Sequence, residues 1–381
     1  MIILFFVSLL LSYSSSTPAW WQFGEFLENQ IKNHFPLAQS IPCEHFNLSD
    51  KQLQLCADPR NQNLMISLGT SVNLAVGVCN KTFSKRRWNC PYTGGHSVFG
   101  EAAGQKSRES AVLYAMVSAM AMYTVTRDCA TGRLPRLCGC DGSRKPDSFV
   151  ELPTDALSPW RPTVVLPTVR VPWPSLVPHI FEEHPETVVH WGGCSENVDF
   201  GYILTKAFID PPHIQSRVNE VNELVKAHNN EVGRITVRRS TGIQCRCVGI
   251  SGACNVHACW IEMKNWNAVG DDLKKKYDEA VKVKASSKNH LLKKSDATTR
   301  GFGEDDLVFV NASPDFCSVV SGRKCNISES AENSCSRLCC RGYKAVTKTV
   351  YYYCKPTLIR RPPIRIIYQT CKKDIVVHYC Q

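Results

Sequence analysis

Four cysteines crowd a short stretch, Cys245-Arg246-Cys247-Val248-Gly249-Ile250-Ser251-Gly252-Ala253-Cys254 with Cys259 just beyond. Thiols at this spacing can bridge one another or hold a metal, and a serine between glycines can act as a nucleophile or as an acceptor. Nested pairing, Cys245 with Cys259 and Cys247 with Cys254, would staple a hairpin. Ser251 would then lie near the tip, beside glycines that permit a tight turn. In the chain-entropy view a 15-residue loop closed this way gains roughly 3 kcal/mol. Gly249-Ile250-Ser251-Gly252-Ala253 approaches the G-x-S-x-G nucleophile elbow. Its last glycine is Ala253, however, and no strand-turn-helix pattern surrounds it. A disulfide-capped tip also offers no buried base or oxyanion hole. Zinc is disfavoured because Cys-x-Cys spacing in an exported chain favours disulfides. On local sequence, an acceptor for covalent modification and an ordinary turn serine both stand, the turn serine being the default.

The compartment follows from the rest of the chain. Of 381 residues, 20 are cysteine, an even number and a load that belongs to an oxidising environment. The run Ile2 to Leu11 is apolar and is followed by Ser14-Ser15-Ser16-Thr17. It reads as a secretory leader over 1–16 and is too short for a membrane span. N-x-Ser/Thr sequons at Asn47, Asn80, Asn311 and Asn326 agree with export. The formal charge of +11 favours anionic partners. Outside the cell that means heparan-type glycans, and DNA or RNA is not expected.

These elements must position the cysteine-rich stretch. Leu64, Leu68, Val72, Ala75, Val76 and Cys79 recur at helical spacing, as do Val112, Met116, Ala119, Met120 and Tyr123. Residues 60–127 are therefore expected to be helical, with Met116, Met120 and Met122 as core filler and no metal site. A third helix is expected from His213 to about Arg238. Nine of the 21 prolines fall in 146–185, which reads as an extended insertion. The last 65 residues, from Cys317, hold eight cysteines, and their 12 Lys/Arg against 3 Asp/Glu carry +9 of the net charge. Val350 to Cys354 and Ile364 to Tyr368 read as strands flanking Pro362-Pro363 in a cystine-stapled hairpin region.

The order of motifs resembles the Wnt family of secreted signalling proteins over nearly the whole mature chain. The carriers are Trp20-Trp21; Phe83 and Arg86-Arg87-Trp88-Asn89-Cys90; Arg108-Glu109-Ser110-Ala111; Cys138-Gly139-Cys140; Trp191-Gly192-Gly193-Cys194-Ser195; His228-Asn229-Asn230-Glu231; Ser313-Pro314-Asp315-Phe316-Cys317; and Leu338-Cys339-Cys340. The resemblance implies an α+β fold. A helical N-terminal domain over 17–300 would carry the stapled hairpin 245–259, the thumb. A cystine-rich β-hairpin domain over 305–381 would carry the index finger, 350–371. It implies no catalytic activity, no metal and no cofactor. It further implies a palmitoleoyl chain on Ser251, attached by an O-acyltransferase of the endoplasmic reticulum, that enters a groove of the Frizzled cysteine-rich domain. The finger tip would grip the opposite side of that domain. Further implied partners are a lipoprotein-receptor-related co-receptor, a Wnt carrier protein and heparan sulfate proteoglycans, at the cell surface and in the extracellular matrix.

The family's pairing carried over gives Cys79–Cys90, Cys129–Cys138, Cys140–Cys194, Cys245–Cys259, Cys247–Cys254, Cys317–Cys340, Cys325–Cys335, Cys339–Cys380 and Cys354–Cys371. Cys43 and Cys56 are left to pair with each other. The chain also departs from the family. Relatives carry four more cysteines between the positions of Cys354 and Cys371. Their loss moves the expected second receptor contact to Arg361, Pro362, Pro363 and Ile364, or leaves the tip without affinity. An antagonist on the Wnt scaffold, or a ligand for a receptor other than Frizzled, is therefore the alternative function. Relatives also have far fewer residues between Cys140 and Cys194. Val248 and Ala253 replace a histidine and a second serine, so Ser251 is the one hydroxyl between Cys247 and Cys254.

Overall fold

A computed structural model describes residues 18–32, 40–91, 98–141, 188–191, 193–210, 220–248, 250–252, 256–285, 292–294, 302–359 and 365–381. The leader, the Pro-rich insertion and residues 361–364 lie outside the described residues. The chain divides into two units. The first comprises Met1–Thr82 with Tyr92–Ser313, and the second Phe83–Pro91 with Pro314–Gln381.

In the first unit α1 (Gln22–Lys32), α2 (Asp50–Ala57) and α3 (Gln62–Phe83, its last residue in the second unit) precede the central helix α4 (Arg108–Ala130). The helix α4 is buried on every face from Glu109 to Val125, as a helix is when others surround it. Around it pack α5 (Val198–Ile209), α6 (Glu220–Arg239) and α7 (Trp266–Asp278). Close approach depends on two glycines. A Cβ on Gly201 of α5 would come 2.0 Å from Thr126 Oγ1, and one on Gly233 of α6 would come 2.1 Å from the Ala115 carbonyl oxygen. The helix expected from His213 is described from Glu220 onward, with Val225 buried.

Several family motifs prove to be packing devices. Glu109, 1% exposed, accepts hydrogen bonds from Tyr277 Oη at 2.7 Å and Ser107 Oγ at 2.6 Å. Asn229 donates to the Val308 carbonyl and accepts from the Val308 N–H at 2.9 and 3.0 Å, holding the short strand β6 (Val308–Phe309) as a neighbouring strand would. The paired amide satisfies both backbone groups in a buried place. Arg234, fully buried, donates to Asp210 at 2.6 Å and Glu231 at 2.7 Å.

Two small sheets complete this unit. One has the order β1-β3-β2, from β1 (Val188–Trp191), β2 (Thr241–Cys247) and β3 (Val256–Met263), with β1 parallel and β2 antiparallel to β3. The other has β5 (Leu292–Lys294), β4 (Val281–Ala285) and β6 in that order.

The second unit is held by disulfides around a small core of Val320, Cys325, Cys335, Leu338, Cys339 and Cys380. Cys317–Cys340, Cys325–Cys335 and Cys339–Cys380 are bonded. The sulfurs of Cys325, Cys339 and Cys380 cluster, but as half-cystines they are not metal ligands. The segment around Trp88 belongs here. The Trp88 ring lies 5.0 Å from that of Phe83 and 6.4 Å from that of Phe316, and Arg87 Nε donates to the Leu338 carbonyl. The two-residue strand β7 (Lys324–Cys325) pairs antiparallel with β9 (Arg365–Cys380), and from this base extends a long ribbon of β8 (Tyr343–Ile359) antiparallel to β9, with a bulge at Cys354. The strands run far beyond the short stretches read from sequence, their pairing extending from Tyr343 opposite Cys380 to Ile359 opposite Arg365.

Candidate functional site: a stapled hairpin presenting Ser251

The hairpin β2–β3 sets Cys245 opposite Cys259, and the two are bonded. Neither therefore has a thiolate to offer zinc. Cys247 is also disulfide-bonded; Cys254 lies outside the described residues. A single turn over Ile250–Gly252 follows the first strand. Ser251 stands in it at φ 60°, ψ 24° and is exposed. The left-handed conformation falls on the serine itself. Such a conformation costs an L-residue roughly 1–2 kcal/mol, and it persists because the flanking strands are fixed. Beside it Ile250 is 92% exposed and Val248 is exposed as well. Exposed apolar side chains beside an exposed hydroxyl on a left-handed backbone form a surface suited to being covered.

The base of the hairpin is built into the helical unit. Ser195 Oγ accepts the Ile261 N–H at 3.2 Å, and the Glu196 N–H donates to the Ile261 carbonyl at 2.9 Å. Glu196 Oε2 accepts the Met263 N–H at 2.6 Å, and the Lys264 N–H donates to the Ser240 carbonyl at 3.1 Å. Cys140–Cys194 fixes the chain just before Ser195. Arg127 of α4 reaches Glu196 at 3.0 Å and Glu262 at 3.3 Å. Its contact with Glu196 Oε1 lies within ion-pair distance, yet that oxygen receives no hydrogen bond. Burial therefore dominates and pushes the Glu196 carboxyl above its ordinary value, with Glu262 adding to it, against the Met263 N–H and Arg127. On the strand surface the Arg246 guanidinium lies 5.4 Å above the Trp260 ring.

Other sequence-derived positions are spread over the molecule. Asn47 is exposed, and Ser49 of its sequon caps α2 by accepting from the Gln52 N–H. Asn80 is half-buried on α3. Asn311 is exposed, and its Nδ2 donates to the Gln105 carbonyl. Asn326 is exposed and accepts from the Ser328 N–H. Cys43–Cys56, Cys129–Cys138 and Cys354–Cys371 are bonded, and Cys79 and Cys90 are each in a disulfide. The tip residues Arg361, Pro362, Pro363 and Ile364 lie outside the described residues. Sequence reasoning missed Arg127 and Glu196, whose partners are remote in the chain. The neighbouring Trp191-to-Ser195 motif was the available signal.

Among the described residues no helix is long and apolar enough to cross a membrane. The family model described as wnt family matches residues 44–381. Wnt-1 of Ambystoma mexicanum is 32% identical over 351 residues, spanning 87% of this chain and 83% of the relative. Wnt-5a of Homo sapiens is 30% identical over 340 residues, spanning 85% and 79%. A solved complex, human WLS with WNT8A, contains a chain that matches at TM-score 0.50 and 22% identity, covering 90% of this chain and all of that one. This last likeness speaks for the fold. The chain belongs to the Wnt family of secreted signalling proteins, with the family's α+β architecture of a helical N-terminal region and a cystine-rich C-terminal one.

Proposed function

We propose that this protein is a secreted Wnt ligand carrying a palmitoleoyl ester on Ser251, and that it activates signalling in development by binding Frizzled receptors. The observation that carries the reading is Ser251 itself, exposed and left-handed at the end of a disulfide-stapled hairpin. At about 0.8 kcal/mol per buried CH₂, a 16-carbon chain entering a groove would contribute on the order of 10 kcal/mol. One acyl chain anchors a protein to a bilayer only marginally, which suits a ligand that travels between cells with a carrier. The fold likeness to a chain solved in complex with WLS supports a carrier of that kind.

The ester would be added by an acyltransferase of the endoplasmic reticulum. The four sequons, Asn47, Asn80, Asn311 and Asn326, would carry glycans. A lipoprotein-receptor-related co-receptor and heparan sulfate proteoglycans complete the set of partners, and the protein would act in the extracellular space and matrix without catalytic activity of its own. The finger favours a second reading, an antagonist or a ligand of another receptor. Between Cys354 and Cys371 the sequence holds no cysteine, so the tip at Arg361, Pro362, Pro363 and Ile364 is not stapled as in relatives.

Binding to a purified Frizzled cysteine-rich domain, paired with a cell reporter, tests the proposal. Saturable binding that Ser251→Ala abolishes, together with reporter activation, is expected. Binding without activation would favour the antagonist, and no binding to any Frizzled domain would overturn both Frizzled-based readings.

A further inference from the structure

The register of the ribbon sorts its charges by face. Residues opposite one another in an antiparallel pair point the same way, and sides alternate along each strand. Lys344 lies opposite Tyr379, Lys348 opposite Ile375 and Lys373 opposite Val350, so the three lysines share one face. Lys324 of β7 is also opposite Tyr379 and joins them. The bulge at Cys354 sets Lys355 opposite Gln369, on the same face. Without the extra residue, alternation would carry Lys355 to the other side. All five lysines are exposed. The Lys348 ammonium lies 5.0 Å from the centre of the Tyr379 ring, as side chains of one face would.

That face carries no acid. The three strands hold one, Asp374, and it stands on the other face opposite Thr349, accepting the Thr349 hydroxyl at 2.6 Å. Tyr351 and Lys372 share that other face. The lysines from Lys344 to Lys355 thus form a row about 35 Å long with no counter-charge beside it. A row of this kind attracts a polyanion. Its shape narrows the choice. Two-stranded ribbons twist strongly, so the lysines follow a turning track. A flat headgroup layer would touch only part of such a track, whereas a flexible linear polymer with charges along its length can follow it.

We infer that this lysine face is the docking site of a linear sulfated glycan, laid along the ribbon from Lys324 and Lys344 toward Lys355. The site rests on the glycan partner of the proposed function and gives that partner definite residues. It leaves the face of Tyr351 uncovered, and it does not depend on the ester proposed at Ser251.

The test is binding of the full-length secreted protein to immobilised heparin. Each lysine against an anionic surface contributes about fivefold in affinity, so Lys344→Gln with Lys348→Gln and Lys373→Gln should weaken binding roughly a hundredfold. A matched variant, Lys282→Gln with Lys284→Gln and Lys372→Gln, removes the same charge from exposed positions off this face and should weaken it less than about tenfold. Acetylation footprinting of the unaltered protein needs no variant to fold. Bound heparin should shield Lys344, Lys348 and Lys373 and leave Lys372 reactive. Desulfated heparin should not compete. Equal weakening of the two variants, or equal shielding of Lys372, would overturn the site while leaving the glycan partner standing. So would a lysine-face dependence seen with phosphatidylserine vesicles and not with heparin, which would make the face a headgroup site. Failure of the unaltered protein to bind heparin at all would remove the partner as well as the site.

Discussion

Glu196 Oε2 accepts the backbone N–H of Met263 at 2.6 Å, which fastens the strand descending from Ser251 to the segment behind Cys194. This buried carboxylate holds the base of the hairpin, yet its second oxygen lacks an aligned donor despite Arg127 at 3.0 Å.

The first expectation concerns pH. Because burial raises the Glu196 pKa, the native state holds that proton more firmly than the unfolded state. Its contribution is fully present below the ordinary carboxylate value and is lost as pH rises through the raised one. Glu196→Gln should retain an acceptor for Met263 and flatten that slope in thermal denaturation followed across pH. Glu196→Ala should leave a buried N–H unpaired and cost about 1–3 kcal/mol at every pH. Equal loss in both variants at neutral pH would show instead that the Arg127 ion pair dominates.

Glu231 should behave with the opposite sign. Burial is the largest effect and would push it up, but Arg234, Tyr202 and Lys206 together outweigh burial and hold it below its ordinary value. Its contribution is present above the ordinary value and is lost as pH falls through the lowered one. Arg234→Met would strand two carboxylates, Asp210 and Glu231, and should cost about 3–5 kcal/mol in denaturant unfolding. A cost below 1 kcal/mol would mean that water replaces the guanidinium.

Gly233→Ala should separate α6 from α4, since the added methyl would meet the Ala115 carbonyl oxygen, a backbone atom that cannot swing away. Overpacking of this kind costs typically 1–3 kcal/mol and should appear as a lower denaturation midpoint with poor secretion. Gly77→Ala, where a Cβ meets nothing within 4 Å, is the control and should be neutral or slightly stabilising.

Replacing Cys245 and Cys259 together by alanine should cost roughly 3 kcal/mol in the chain-entropy view. Without the staple, the left-handed turn at Ser251 should relax, and modification of Ser251 should fall even where the protein is still secreted. Non-reducing peptide mapping with quantitation of Ser251 occupancy checks this. Full occupancy without the staple would show that the turn needs no external support.

The sequence revealed more of the elements than of their contacts. Val112, Met116, Ala119, Met120 and Tyr123 announced α4, and all are buried. The same pattern understated that helix, because Ser110, Ser118 and Thr126 are buried too, Ser118 against Arg234 of α6 and Thr126 against Gly201 of α5. Period and propensity carry no sign of such close approach. The thumb was legible because cysteine spacing is local. Its base was not, because Ser195 and Glu196 meet β3 across more than sixty residues of sequence. The parallel strand β1 follows a Pro-rich stretch and has only four residues, too few for alternation to speak. The left-handed conformation of Ser251 was hidden by the glycines beside it, which were the natural candidates.

The measurement that bears most directly on the central claim is mass spectrometry of the peptide spanning Ser251. The protein would be secreted with and without inhibition of the acyltransferase, beside Ser251→Ala. A mono-unsaturated C16 adduct on Ser251, lost on inhibition and absent from the variant, is the expected result. Efficiently secreted protein with Ser251 unmodified would contradict the lipid-in-groove mechanism.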